Sequence, residues 1–223
     1  MRMRYKYVLF DLDGTLTDPK EGITKSFQYA LQFFDIQEEL SNLLKVIGPP
    51  LLDSFMDFYG FTREKAEAAV EKYRERFREK GIYENALYPG VQEMLLDLKS
   101  HGAKIALATS KPQLFALQIL EHFAIEEYFD VKVGSELDGT RNYKDEVIKE
   151  VLCQFGFPNR REVLMVGDRK QDILGAKKCG IDSAGVSFGY AEPGELEGAG
   201  ADYILHSVKD LQMFLIQEET KDL

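Results

Sequence analysis

Two aspartates separated by a single residue, Asp11 and Asp13, directly follow an apolar run at residues 7–10. β-Branched, aromatic and aliphatic residues make up that run, which predicts a buried strand ending where the carboxylates begin. Gly14 then allows the chain to turn with a positive φ. Two acids at the carboxyl end of a strand indicate a nucleophile or metal ligand together with a general acid or base. An Asx-turn after a strand is the alternative interpretation of the same residues.

Hydroxyl side chains follow a second apolar run, which predicts a strand over residues 104–109. Thr109 and Ser110 stand at the entrance of a helix predicted over residues 114–123, where hydroxyl and backbone N–H groups suit a phosphate. Capping of that helix is the alternative role for both hydroxyls. This stretch therefore indicates either phosphoryl binding or a helix start.

Three charged residues stand close to other predicted element boundaries. Asp168 follows a strand predicted over residues 163–166, and Asp172 lies four residues further on, on the same face of a starting helix. One of the two can be a ligand that the other orients, or both can complement the helix dipole. Lys144 opens a predicted helix, where a cation is unfavourable unless it neutralises a nearby charge. As a surface lysine it would need no such partner.

The elements that must position these residues alternate between strand and helix from residue 87 onward. Besides the strand at 7–10, strands are predicted at 104–109, 131–133, 163–166, 183–186 and 203–205, with helices at 91–100, 114–123, 144–155, 172–179 and up to about residue 217. This alternation predicts an α/β fold with a doubly wound, mostly parallel, Rossmann-like sheet. Ligands of such sheets bind beyond the carboxyl ends of the strands. Asp11, Thr109 and Asp168 each lie at or just after the carboxyl end of a predicted strand.

The stretch from residue 19 to residue 84 shows helical periodicity and no strand pattern. Thr62 is a predicted N-cap and Gly81 a predicted stop for the last of its helices. We therefore expect an all-helical insert at residues 19–84 within an α/β core formed by residues 1–18 and 85–223. The aromatic residues of the insert recur at helical spacing, which predicts packing between helices.

Composition limits the classes of function. The chain has 28 basic and 38 acidic residues and a net charge of −10, so no nucleic-acid partner is expected. No apolar run approaches 18 residues, so no membrane span is expected. Cys153 and Cys179 have no metal-binding spacing and are predicted to be reduced packing residues of a cytoplasmic protein.

Four motifs in chain order resemble those of the haloacid dehalogenase superfamily: Asp11-Leu12-Asp13-Gly14-Thr15-Leu16, Thr109, Lys144, and Gly167-Asp168 with Asp172. The resemblance is greatest to the phosphoglycolate-phosphatase-like branch, and it covers nearly the whole chain. It implies that the helical insert is a cap over the core. One position departs from the family pattern, because Asp145 follows Lys144 where proline is frequent.

The resemblance implies a phosphatase. Asp11 would attack phosphorus and become an aspartyl phosphate, and Asp13 would protonate the leaving alcohol and then activate water. Thr109 and Ser110 would hold phosphoryl oxygens, and Lys144 would offset the negative charge.

A cluster of carboxylates without histidine or cysteine selects a hard cation, hence Mg²⁺. The family pattern implies the Asp11 carboxylate, the Asp13 carbonyl and Asp168 as its ligands. Asp172 would be a further ligand or would orient one.

Several alternatives stay open or are disfavoured by particular residues. A dehalogenase of the superfamily generally lacks the second aspartate, Asp13. A sugar-phosphate mutase would carry a histidine near residues 19–22, where none is present. A receiver-like phosphorylation switch would have its acidic residues in the reverse order and no helical insert. Pyrophosphatase activity remains an alternative.

The substrate is expected to be a small phosphorylated metabolite, with phosphoglycolate, pyrophosphate and nucleoside 5′-monophosphates all open. The turn Ile47-Gly48-Pro49-Pro50-Leu51 either meets the leaving group, with Gly48 allowing close approach, or is a plain connection between helices. The protein is expected to be a monomer or a weak homodimer.

Overall fold

A six-stranded parallel sheet forms the centre of the computed structural model, which describes residues 2–217. The strands are β1 (Arg2–Met3), β2 (Tyr7–Phe10), β3 (Thr17–Asp18), β4 (Ala86–Leu87), β5 (Lys104–Pro112), β6 (Val131–Ser135), β7 (Val163–Gly167), β8 (Asp182–Val186), β9 (Tyr203–Leu205) and β10 (Ile216–Gln217). The central sheet has the order β6-β5-β2-β7-β8-β9. The strand that precedes Asp11 therefore lies in the middle of the sheet, between β5 and β7.

Helices cover both faces of this sheet. They are α4 (Val91–Ser100), α5 (Gln113–His122), α6 (Lys144–Gln154), α7 (Lys170–Cys179), α8 (Glu195–Ala199) and α9 (Val208–Leu215). Alternate residues of β2 enter different apolar clusters, with Val8 and Phe10 in one and Leu9 in the other. All three side chains are fully buried, which explains why the strand is apolar without alternation. The predicted doubly wound, mostly parallel fold is confirmed.

The helical insert forms the cap between β3 and β4. It contains α1 (Lys20–Phe33), a 3-10 helix (Leu40–Val46), α2 (Leu51–Tyr59), α3 (Arg63–Arg76) and a π-helical turn (Phe77–Gly81), and residues 19–85, all of them described, contain no strand. The two connections to the core pair with each other, since Thr17 lies opposite Leu87 and Asp18 opposite Ala86. An antiparallel ribbon of two short strands thus joins the cap to the sheet. The division at residues 18/19 and 84/85 stays a prediction.

Aromatic packing holds the cap helices together, as their spacing predicts. The rings of Phe27 and Phe55 stack with their centroids 4.0 Å apart. Thr62 caps α3 by accepting a hydrogen bond from the Lys65 backbone N–H at 3.3 Å. The helical stretch that α3 begins ends at Gly81, where an added Cβ would lie 2.6 Å from Ser26 Oγ. The predicted start and end of this stretch agree with the structure.

Three details differ from the sequence prediction. The last helix, α9, ends at Leu215 and not at about residue 217, because Ile216 and Gln217 pair with β1 as β10. β5 extends to Pro112, because a register shift after Ala108 allows Pro112 to lie opposite Ser135 of β6. Cys179 is buried as expected, whereas Cys153 is exposed, and both thiols are free. None of the helices in the described part of the chain combines the length and apolar character needed to cross a membrane.

Candidate active site

The carboxyl ends of the three central strands bring the predicted residues together. Asp11 follows β2, and its backbone N–H donates to the Val166 carbonyl of β7 at 2.9 Å. Thr109 lies near the end of β5, and Asp168 follows β7. All three side chains are buried, although two are carboxylates. Burial of carboxylates is unfavourable without compensating partners, so their surroundings are informative.

Lys144 supplies much of that compensation. Its Nζ lies 2.8 Å from Asp11 Oδ1 and 2.9 Å from Asp172 Oδ1, and it donates to the Ala108 carbonyl at 3.0 Å. Burial alone would lower the pKa of this lysine, but the two carboxylates outweigh burial and raise the pKa above its usual value. The ammonium group is therefore charged at neutral pH. The alternative of a surface lysine is wrong, since Lys144 is 5% exposed.

The Asp168 carboxylate is held by one backbone N–H group and enclosed by two glycines. Its Oδ2 accepts a hydrogen bond from the Tyr190 N–H at 2.7 Å, while its Oδ1 is buried without a hydrogen-bond partner among the described residues. Gly14, with φ +82°, and Gly189 lie against this carboxylate, where a Cβ on either residue would collide with it. Burial, followed by repulsion from Asp172 and Asp11, raises the pKa of Asp168 well above its usual value.

Asp172 interacts through both of its oxygens. Oδ2 accepts from the Arg169 N–H at 3.1 Å at the start of α7, and Oδ1 faces Lys144. Burial raises the pKa of Asp172, and the ion pair with Lys144 opposes that shift. The contact with the Arg169 N–H is the interaction expected of an acid at a helix start, and the role of Asp172 as a metal ligand or as an orienting residue stays a prediction.

Three carboxylates form a group that fits a metal ion. Asp11, Asp168 and Asp172 each offer an oxygen within 4.8 Å of the others, and all three are buried. The unpartnered Oδ1 of Asp168 and the raised pKa of this residue are what an uncompensated ligand would show. A hard, oxygen-binding cation such as Mg²⁺ matches this donor set.

Asp13 lines the same cavity as Asp11 and has its own cation. Lys111 Nζ lies 2.6 Å from Asp13 Oδ2, and the second oxygen, Oδ1, is buried with no hydrogen-bond partner in residues 2–217. Burial raises the pKa of Asp13, and Lys111 partly offsets this effect. The chain turns at Gly14 directly after the two carboxylates. A turn after the strand and a pair of acids at the site therefore do not exclude each other.

The hydroxyls of β5 do not cap the following helix. α5 begins at Gln113, and Pro112 occupies its N-cap position without a side-chain cap. The capping alternative is therefore wrong, because β5 continues past the predicted end. Thr109 Oγ1 instead accepts from the Lys111 N–H at 3.2 Å, and Thr109 and Ser110 line the same cavity as Asp11.

A cavity of about 390 Å³ separates the strand ends from the cap. Asp11, Asp13, Thr109 and Ser110 line one end, and Gly48 lies in the cap wall. Gly48 has φ +103°, and a Cβ there would lie 2.6 Å from Arg169 Cγ. The Gly48 turn is therefore both a connection between helices and part of the cavity wall.

Sequence reasoning missed two residues of this region. Arg169 donates through Nη1 to the Ile47 carbonyl of the cap, and its Nε donates to Glu195 Oε1 at 2.9 Å. Lys111 pairs with Asp13, as described above. Their positions give a signal that was available, since Arg169 directly follows Asp168 and Lys111 is two residues after Thr109.

Known proteins are similar to this chain over most of its length, including the cap. The model of the haloacid dehalogenase-like hydrolase family matches residues 8–186. A Pseudomonas aeruginosa protein named 5′-nucleotidase is 48% identical over 195 residues, which cover 87% of this chain and 88% of the relative. Pyrophosphatase PpaX of Halalkalibacterium halodurans is 35% identical over 214 residues, covering 94% of this chain and 96% of the relative.

A solved structure shares the architecture closely. The crystal structure of a predicted phosphatase from Clostridium acetobutylicum superposes with a TM-score of 0.91 at 48% identity. The match covers 93% of this chain and 96% of that one.

Proposed function

The chain belongs to the haloacid dehalogenase-like hydrolase family and is a phosphoric monoester hydrolase, and we propose that it hydrolyses nucleoside 5′-monophosphates through an aspartyl phosphate. The observation that carries this proposal is the buried group of Asp11, Asp168 and Lys144 at the strand ends, in which Asp11 lines the cavity under the cap. An anionic ester entering that cavity meets the Asp11 carboxylate, which has the Lys144 ammonium group 2.8 Å from its Oδ1.

Asp11 is the proposed nucleophile. Its carboxylate attacks phosphorus as the bond from phosphorus to the leaving oxygen breaks, and the phosphoryl group passes to Asp11. Lys144, 2.8 Å from Asp11 Oδ1, offsets the charge that the carboxylate and the phosphoryl group bring together. Thr109 and Ser110 supply the hydroxyls at the same end of the cavity for the phosphoryl oxygens.

Asp13 is the proposed general acid and base. In the first step it gives a proton to the leaving oxygen, and in the second it takes a proton from the water that attacks the phosphorus. The second step restores the Asp11 carboxylate and releases inorganic phosphate. The raised pKa of Asp13 supports a carboxyl that carries a proton more readily than an exposed aspartate does.

Asp11, Asp168 and the Asp13 backbone carbonyl would hold Mg²⁺, which supplies positive charge to the phosphoryl oxygens when bound. We assign Asp172 to a supporting role, because both its oxygens already contact Lys144 and the Arg169 N–H. Asp172 thereby orients the Lys144 ammonium group beside Asp11, and it also holds the loop that carries Asp168.

The cavity supports a leaving group larger than glycolate or phosphate. Its volume, about 390 Å³, lies within the range of roughly 300–1,000 Å³ usual for small-molecule sites. Apolar side chains from the cap and from α5 form much of its wall: Ile23, Val46, Leu51, Leu52, Val70, Phe77 and Phe115. A nucleoside would bury apolar surface against this wall. The similarity to the Pseudomonas aeruginosa protein named 5′-nucleotidase also supports a nucleotide substrate.

Inorganic pyrophosphate is the second candidate substrate, favoured by the similarity to pyrophosphatase PpaX. The leaving group would then be a second phosphate with no apolar surface. Relative rates on the two substrate classes therefore separate the candidates.

The test is a panel of nucleoside 5′-monophosphates, phosphoglycolate and pyrophosphate, assayed for released phosphate with Mg²⁺, Ca²⁺ or EDTA. We expect the highest kcat/KM for a nucleoside 5′-monophosphate, no turnover in EDTA and inhibition by Ca²⁺, whose looser coordination disturbs the geometry. Full activity in EDTA would overturn the metal assignment. A kcat/KM that is highest for pyrophosphate would replace the proposed substrate.

A further inference from the structure

Lys111 is a buried cation in the active-site cavity with no role in the mechanism given above. Its side chain is 6% exposed, and its Nζ lies 2.6 Å from Asp13 Oδ2. A lysine is rarely buried to this extent without a partner, and here the partner is the proposed general acid and base. Among residues 2–217, no other cation forms an ion pair with Asp13.

A second contact ties the same ammonium group to the cap. Lys111 Nζ lies 4.7 Å from the ring centroid of Phe77, within the range of a cation–π interaction. Phe77 begins the π-helical turn at the end of α3, and its ring packs edge-on against Phe115 of α5 at 5.5 Å. Lys111 therefore has a core carboxylate on one side and a cap aromatic ring on the other.

The backbone around Lys111 is held as well. The Lys111 N–H donates to Thr109 Oγ1 at 3.2 Å, and the neighbouring Ser110 carbonyl accepts from Ser135 Oγ at 2.8 Å. This end of β5 is thus fixed to β6. A long side chain that starts from a fixed backbone and ends between two partners has few rotamers available. The Asp13 carboxylate lies at the end of this restrained side chain.

We propose that Lys111 is a positioning residue, which holds the Asp13 carboxylate toward the leaving oxygen and is itself held by Phe77 when the cap is closed. The inference rests on the proposed function, since it assigns Lys111 to the acid that this function requires. Without Lys111, the Asp13 carboxyl group can still transfer a proton, but it is no longer held toward the leaving oxygen. Without the Phe77 ring, the ion pair remains but loses its contact with the cap.

The test uses the dependence of rate on the leaving group. kcat/KM is measured for a series of aryl phosphates of rising leaving-group pKa and for an alkyl phosphate, with Mg²⁺ present. Poor leaving groups need the proton from Asp13, whereas good leaving groups depart without it. The variants are Asp13→Asn, Lys111→Met and Lys111→Arg. Lys104→Met, an exposed lysine on the same strand, is the matched control.

We expect Lys111→Met to lower kcat/KM for the alkyl ester by about 10- to 100-fold, part of the roughly 10²- to 10⁴-fold that an acid–base group provides. The loss for the best aryl leaving group should be much smaller, so that the leaving-group dependence becomes steeper than in the wild type, in the same direction as in Asp13→Asn but to a smaller extent. Lys111→Arg should recover most of the loss, and Lys104→Met should match the wild type. In the Asp13→Asn background, Lys111→Met should have no further effect on the leaving-group dependence.

Equal losses on every leaving group in Lys111→Met, beside a steep dependence in Asp13→Asn, would overturn the positioning role and leave the proposed function intact. An unchanged dependence in Asp13→Asn itself would overturn the proposed role of Asp13 and the inference with it.

Phe77→Leu tests the link to the cap, with its fold checked by circular dichroism. Phe77→Leu should make kcat/KM depend more steeply on the leaving-group pKa, but less steeply than Lys111→Met does. In the Lys111→Met background, Phe77→Leu should have no further effect on this dependence. An unchanged dependence in a folded Phe77→Leu protein would overturn the part played by the cap. If Phe77→Leu does not fold, Phe77→Tyr replaces it, because this variant keeps the aromatic ring. Phe77→Tyr should show the same leaving-group dependence as the wild type. A steeper dependence in Phe77→Tyr would overturn the part played by the cap.

Discussion

The strand ends of the core and the Gly48 turn of the cap form opposite walls of one cavity, but they are held in different ways. At the strand ends, charged side chains meet each other: Lys144 contacts Asp11 and Asp172 at 2.8 and 2.9 Å. At the turn, Arg169 donates to the backbone carbonyl of Ile47. The core wall therefore depends on side-chain identity, whereas the cap wall depends on backbone position.

This difference predicts where substitutions act. Loss of a charge in the core leaves other buried charges uncompensated, which affects both stability and chemistry. Loss of a contact at the turn changes how the cap lies over the substrate and leaves the reacting groups in place. Core variants should therefore impair every substrate, and cap variants should discriminate between large and small leaving groups.

The largest effect is expected from Lys144→Ala. Two buried carboxylates, Asp11 and Asp172, would lose their cation, so the free energy of unfolding should fall by about 3–5 kcal/mol and activity on all esters should be lost. Urea unfolding and phosphate release measure the two effects. Lys149→Ala is the control on the same helix, because Lys149 is exposed to solvent in its ion pair with Asp145 and its removal should change stability much less. Similar losses in the two variants would contradict the contrast between buried and exposed pairs.

Asp168→Asn should change the response to metal. Because the pKa of Asp168 is raised, its ionised form destabilises the metal-free fold near neutral pH, and removal of the charge should make the metal-free protein at least as stable. Bound Mg²⁺ at 100 times its dissociation constant should stabilise the wild type by about 2.7 kcal/mol and the variant much less. Melting curves with Mg²⁺ or EDTA at several pH values measure both effects. A variant that gains as much from Mg²⁺ as the wild type would remove Asp168 from the metal site.

Arg169→Lys should affect the cap wall. A lysine cannot donate at once to Glu195 and to the Ile47 carbonyl in the geometry of the guanidinium group. We expect kcat/KM for a nucleoside 5′-monophosphate to fall about tenfold, equivalent to roughly 1.4 kcal/mol, with a smaller loss for p-nitrophenyl phosphate. Arg161→Lys, at an exposed position, is the control. Equal losses on both esters would assign Arg169 to the core chemistry instead.

Gly48→Ala should have the smallest effect and the most selective one. The residue has φ +103°, and the new Cβ would press on Arg169 Cγ, so we expect a loss of about 1 kcal/mol, or about fivefold, on the larger ester. Gly60→Ala separates strain from contact, since Gly60 has φ +64° with open space around its Cβ position. Stability should fall in both variants and selectivity in Gly48→Ala alone. If Gly60→Ala shifts selectivity to the same extent, contact with Arg169 is not the cause.

The sequence was most informative where function requires a particular side chain at a strand end. Asp11, Thr109 and Asp168 were found in this way, because apolar strands are easily recognised and their carboxyl ends meet in a parallel sheet. Lys144 was found through its position at a helix start and through the family resemblance. The aromatic packing of the cap also followed from helical spacing.

Contacts that depend on backbone atoms or on local register were not predictable from residue types. The Ile47 carbonyl gives no signal in the sequence, so the contact with Arg169 was missed. The extension of β5 to Pro112 depends on its register with β6, and Lys111, which lines the cavity, lies within this extension. Tyr190 holds Asp168 through a backbone N–H, which any residue type except proline could provide.

The most direct test of the account is to trap the phosphorylated intermediate. Asp13→Asn should accept a phosphoryl group from an activated aryl ester and hydrolyse it slowly, because the base for the attacking water is missing. Rapid acid quenching, intact mass measurement and peptide mapping should locate one phosphoryl group on Asp11. Asp11→Asn should form no adduct and show no turnover. A phosphoryl group on another residue, or wild-type turnover in Asp11→Asn, would contradict the central claim.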